Sequence, residues 1–92
     1  MRAEFNGQVI AESDETIVVE GNHYFPPSSI RSECFTGTDR STHCPWKGDA
    51  SYYDVTVDGN TASNAAWYYS APKEKAAEIK DYVAFYPVVT VS

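Results

Sequence analysis

The chain reads as mainly β: a small antiparallel fold with about eight short strands and one short C-terminal helix. Three observations lead there. β-Branched and aromatic residues fill short runs, such as Gln8–Glu12, 16–20 and 50–57. Asn6-Gly7 and Asp58-Gly59 are dipeptides that suit two-residue hairpin turns, where both central residues need φ > 0. Only 73–82 carries a helical stripe, through Ala76, Ile79 and Val83.

The elements follow in order. Arg2–Phe5 and Gln8–Glu12 form a hairpin across Asn6-Gly7. Ser13, Asp14 and Glu15 turn the chain into a strand over 16–20. Gly21-Asn22 ends it, and 23–25 is its short partner. Pro26-Pro27 stops pairing, because neither nitrogen donates to a ladder. Ser28 is placed to cap one helical turn over 30–33, and 36–41 (TGTDRS) has a loop composition. A strand over 50–57 puts Ser51, Tyr53, Val55 and Val57 on one face. The segment 60–64 is polar and patternless, and 65–69 is a buried strand. Pro72 stands near the first position of the helix, and 83–86 and 88–91 close the fold.

Ninety-two residues suit one domain spanning the whole chain, with one thin core. The net charge of −6, with no local Lys/Arg cluster, argues against nucleic acid and acidic membrane surfaces as partners. No secretory leader or membrane span stands out, so a cytoplasmic location with Cys34 and Cys44 as thiols is expected.

The chemistry-bearing candidates concentrate in "CPWKGDASYYDV", residues 44–55. His23, Cys34, His43 and Cys44 are the natural metal-ligand types, but no Cys-x-x-Cys spacing joins them, so no metal or cofactor is expected. Cys44 has positive neighbours in Lys47 and His43 that would favour a thiolate; alternatively it is a buried structural thiol. Lys47 stands between Trp46 and Gly48. It can anchor an anionic ligand, or lay its stem over the indole with its head in water. Asp49 and Asp54 would face opposite sides of a strand, and Asp58 belongs to a turn, so a Mg²⁺-binding carboxylate pair is not evident. The aromatics Trp46, Tyr52, Tyr53, Trp67, Tyr68 and Tyr69 either line a pocket or fill a core short of Leu and Ile.

In order, "FNGQVIAESDETIVVEGNHYFPPSSI", "THCPWKGDASYYDV", "VDG", "NAAWYYSAP" and "IKDYVAFYPVVTV" resemble the small bacterial family called domain of unknown function 427, nearly end to end. The resemblance implies a β-tent type of fold, shared with yippee-like proteins, methionine sulfoxide reductase B and the drug-binding domain of cereblon. It implies no zinc, since the paired Cys-x-x-Cys motifs of several of those proteins are missing here. It also marks Cys44, Trp46, Lys47, Gly48, Tyr53 and Trp67 as signature positions. The family is sometimes filed under a nucleotidyltransferase name.

The expectation is therefore a small-molecule-binding module. Cys44, Trp46, Lys47, Tyr53 and Trp67 would bind the ligand, with the aromatics walling a cleft and Lys47 as anchor. Two alternatives stand beside it: an enzyme, by nucleotidyl transfer or by thiol chemistry at Cys44, and a protein-interaction domain using an exposed strand at 88–91.

Overall fold

A computed structural model describes all 92 residues. Nine strands form three antiparallel sheets. β1 (Arg2–Phe5) pairs with β2 (Gln8–Glu12) on one side and β9 (Thr90–Val91) on the other. β3 (Ile17–Val19) and β4 (Asn22–Tyr24) form a separate hairpin. β5 (Phe35–Cys44), β6 (Gly48–Val57), β7 (Asn60–Tyr68) and β8 (Val83–Phe85) make a four-stranded sheet in sequential order. No helix is long and apolar enough to cross a membrane.

Two-residue turns with two left-handed residues close three hairpins: Asn6-Gly7, Glu20-Gly21 and Asp58-Gly59. Asn and Asp tolerate that conformation through their short polar side chains. Glu20, at φ +52, is the exception among the three. The sequence places the break of this hairpin one residue later, at Gly21-Asn22; Asn22 in fact opens β4.

The four-stranded sheet has a core on each face. On one face Tyr53, Val55, Val57, Ala66, Val83 and Phe85 pack with Ala3, Ile10 and Ala11 of the first sheet. On the other face Ala50, Tyr52, Tyr69 and Ala84 pack with Tyr24, Ala76 and Ile79. The chain contains no leucine, so alanines and aromatic rings share the filling. Phe25 continues β4 onto β8, donating to and accepting from Val83 at 2.8 and 2.9 Å. This bond pair fastens the β3–β4 hairpin to the large sheet.

Four local expectations change. Residues 36–41 are strand: β5 is a ten-residue edge strand with irregular register between Gly37 and Ser41. Nearly all its side chains face solvent, so it shows no alternation. Residues 60–64 likewise belong to β7, held by backbone pairing to β6 and by the Thr56–Thr61 hydroxyl contact at 2.8 Å. The helical stretch is a short 3₁₀ segment, Glu74–Ile79, interrupted at Ala76 (φ −117, ψ 17). Ala76 and Ile79 are both buried and lie three apart, which a 3₁₀ turn superposes. The turn expected over 30–33 is replaced by two 3₁₀ turns, Pro27–Ser29 and Ser32–Cys34, neither capped by a side chain.

β7 bulges where Tyr53 pairs with Ala66 but Val55 pairs with Ala62. Asn64 sits there at φ +50. Its backbone N–H donates to Asp54 Oδ1 at 2.7 Å, and its side-chain oxygen accepts from Thr38 at 2.7 Å. Asp54→Ala removes the acceptor for a half-buried N–H. It is expected to lower unfolding free energy by about 1–2 kcal/mol, measured by urea denaturation, with Asp39→Ala as a neutral control.

Candidate functional site

Lys47 is the one charged residue the fold buries, at 7% exposure. It occupies the loop between β5 and β6, where Cys44 pairs with Gly48. Gly48 at φ +112 turns the chain inward, and a Cβ there would meet Ala71 O at 3.4 Å. The segment after β7 clamps this loop from outside. Lys73 N donates to Lys47 O at 2.9 Å, and Lys73 Nζ donates to Pro45 O at 2.7 Å.

The Lys47 ammonium donates to Glu20 Oε1 across the fold. It also lies 5.2 Å from the centroid of Trp46 and 5.7 Å from that of Tyr69. Burial alone pulls a lysine toward neutrality. Glu20, with Tyr24, Tyr69 and Cys44 behind it, outweighs that pull, so Lys47 holds its proton more tightly than an ordinary lysine. The bond from Lys47 in turn draws the Glu20 carboxyl below its usual range, against a smaller opposing effect of burial. The neighbouring Trp46 indole lowers the same carboxyl slightly further. Burial pushes Tyr69 up to about 12, with Lys47 opposing. Glu20 itself is half-exposed, on the outer tip of the β3–β4 turn.

Trp67 belongs to a different feature. Its indole N–H donates to the buried Tyr24 hydroxyl at 3.1 Å, and the two rings meet edge-on at 6.3 Å. Tyr86, 40% exposed, leans on Trp67 at 4.8 Å and stacks on Tyr52 at 6.4 Å. Beside Trp67 opens a hollow of about 630 Å³. Gly21, Asn22 and His23 of the hairpin wall one part of it; Tyr86, Pro87 and Val89 wall another. A smaller hollow of about 360 Å³ borders Trp46, with Pro45, Lys73, Glu74 and Lys75.

The five expected site residues therefore divide. Cys44, Trp46 and Lys47 share the loop around the buried ammonium, with the Cys44 thiol half-buried against the aromatic cluster. Trp67 serves the large hollow, which neither Lys47 nor Cys44 lines. Tyr53 faces the opposite core, stacked on Tyr68 at 4.6 Å and edge-on to Phe35 at 5.5 Å. The single cleft expected for all of them is thus three places: the Lys47 loop and the hollow beside Trp67, which meet at Tyr24, and the opposite core that holds Tyr53. Glu20, Tyr24 and Tyr86 escaped the sequence reading. For Glu20 a signal existed: a Glu-Gly pair where a hairpin turn prefers Asn or Asp.

His23, His43, Asp49 and Asp54 are each occupied locally. His23 Nδ1 meets Thr16 at 2.9 Å, His43 meets Asp49 at 2.8 Å, and Asp54 serves the β7 bulge. No three His, Cys, Asp or Glu side chains converge. Cys34 is a free thiol, pushed up by burial.

These features define a mainly β domain built around one buried lysine, paired to a half-exposed glutamate, and an aromatic hollow. The chain belongs to the family described as "Domain of unknown function (DUF427)", also labelled NTP_transf_9, whose model matches residues 1–91. Comparison with curated proteins returned no match.

Two predictions follow from this geometry. Gly48→Ala places a Cβ in a left-handed backbone against the 71–73 segment and is expected to cost about 1–3 kcal/mol, read from urea midpoints. Stability should also fall at both pH extremes. Above pH 10.0 the unfolded chain ionises Tyr69 while the folded chain resists to about 12, and above 10.5 folded Lys47 still holds its proton. The folded state then binds more protons, so rising pH favours unfolding. Below 4.5 the unfolded chain protonates Glu20 before the folded one does, so stability drops as pH falls further. Denaturation midpoints from pH 3 to 12 check both limbs, and Lys47→Met should flatten the Glu20 part of the acid limb.

Proposed function

We propose that this domain binds a small molecule with a planar, uncharged ring, held in the hollow beside Trp67. The observation that carries the reading is a half-buried indole, fixed by its bond to Tyr24, at the side of a 630 Å³ concavity. Small-ligand sites are concave and mostly apolar, with a few polar groups that set orientation. Here Trp67, Tyr86, Pro87 and Val89 supply the apolar surface. Asn22 and His23 supply the polar groups. His23 Nδ1 is already engaged by Thr16, which sets the ring's orientation. Lys47 contributes by holding the β3–β4 hairpin through Glu20, one residue before the hollow's wall begins. Nucleotidyl transfer, which the family label suggests, uses clustered carboxylates to hold Mg²⁺. The acidic side chains here do not converge, and Asp49 and Asp54 are engaged by His43 and by the β7 bulge, so binding is the better-supported reading.

A panel of uncharged nitrogen heterocycles, screened by thermal shift and titration calorimetry, tests it. A ligand at a hundred times its Kd should stabilise the fold by about 2.7 kcal/mol. Tyr86→Ala, an exposed position, should weaken binding about tenfold, as loss of one ring contact would. A panel without binders, or a binder indifferent to both Tyr86→Ala and Trp67→Phe, would overturn the reading.

A further inference from the structure

We propose that the cradle around the Lys47 ammonium is a carboxylate-binding site, and that Glu20 is its built-in, displaceable occupant. The inference stands apart from the hollow beside Trp67. Three observations converge on it. The ammonium is buried, but the carboxylate that neutralises it is half-exposed and arrives from a hairpin tip. Glu20 holds its place in a left-handed backbone that its two counterpart turns assign to Asn and Asp. Its side chain therefore occupies the cradle from a position that its backbone does not favour. The cradle walls belong to other elements: Trp46 and Tyr69 flank the ammonium, and Lys73 holds the loop at Lys47 O and Pro45 O. Withdrawing Glu20 would thus leave them standing.

The chemistry selects the class of ligand. A single ammonium sheathed by aromatic rings suits a singly charged, flat anion that can sit against ring surfaces. The present occupant is itself a carboxylate on an apolar stem. A ligand carboxylate would take the Lys47 bond, and the released Glu20 would turn outward into water, where half of its side chain already lies. The tethered group competes at an effective concentration of roughly millimolar or more. Free carboxylates should therefore bind the intact protein weakly and a chain without the Glu20 carboxylate much better.

Glu20→Asn isolates the site, because it removes the carboxylate and gives the turn its favoured Asn-Gly pair. Sodium acetate and inorganic phosphate are titrated separately at constant ionic strength. The thermal midpoint and the Gly21 amide resonance are followed in wild type, Glu20→Asn, and Glu20→Asn with Lys47→Met. Acetate should raise the Glu20→Asn midpoint saturably, act on wild type only at concentrations at least about tenfold higher, and leave the double variant unmoved. A folded Glu20→Asn protein indifferent to acetate would overturn the proposal. So would equal responses in all three proteins, and so would a response to phosphate without one to acetate. If Glu20→Asn does not fold, Glu20→Gly is read in the same way. Folding of either variant only with acetate supports the site; failure of both with and without acetate overturns it.

Discussion

An ammonium taken out of water must keep a negative partner, and in this fold that requirement ties distant elements together. Lys47 reaches inward from the β5–β6 loop, and Glu20 reaches it from the β3–β4 turn. The pair therefore sets where the small hairpin lies against the large sheet, in concert with the Phe25–Val83 bonds at the hairpin's other end. Burying charge is costly, and a buried pair seldom stabilises a fold more than apolar residues of similar volume would. What it gives is specificity of placement: a hairpin shifted by one residue would leave the ammonium alone among tyrosines.

The aromatic character of the second core follows from the same constraint. A leucine core could not face an ammonium favourably, whereas ring faces carry a negative quadrupole. Tyr69 and Trp46 present such rings to Lys47. Tyrosine hydroxyls then need partners of their own. Tyr24 accepts from Trp67, and Tyr52 meets Thr42 at 2.8 Å. No buried side-chain polar atom is left without a hydrogen bond. Tyr24 stands between the charge centre and the hollow beside Trp67.

Legibility differed between the two halves of the problem. Asn6-Gly7, Asp58-Gly59 and the alternation of Tyr53, Val55 and Val57 located their hairpins and faces, because each signal acts over a few adjacent residues. β5 and the first half of β7 were hidden. Their pairing is a backbone matter on exposed edges, and residues such as Thr36, Asp39 and Ser63 carry no record of it. The helical stripe at Ala76 and Ile79 marked true burial, but too few residues shared it to sustain an α-helix.

For the site, the Cys44–Gly48 run was visible as unusual, and Gly48 as a backbone requirement. Which residues meet was a separate question. Glu20 and Lys47 lie 27 residues apart, and Tyr24 and Trp67 lie 43 apart. Tyr53, adjacent to Tyr52, faces the opposite core. Local chemistry thus established turns, strand faces and a mainly β architecture from neighbouring residues alone. The separation of one imagined cleft into a charge centre and an aromatic hollow came from the packing of sheets. Strand alternation assigns a side chain to a face but cannot name what folds across it.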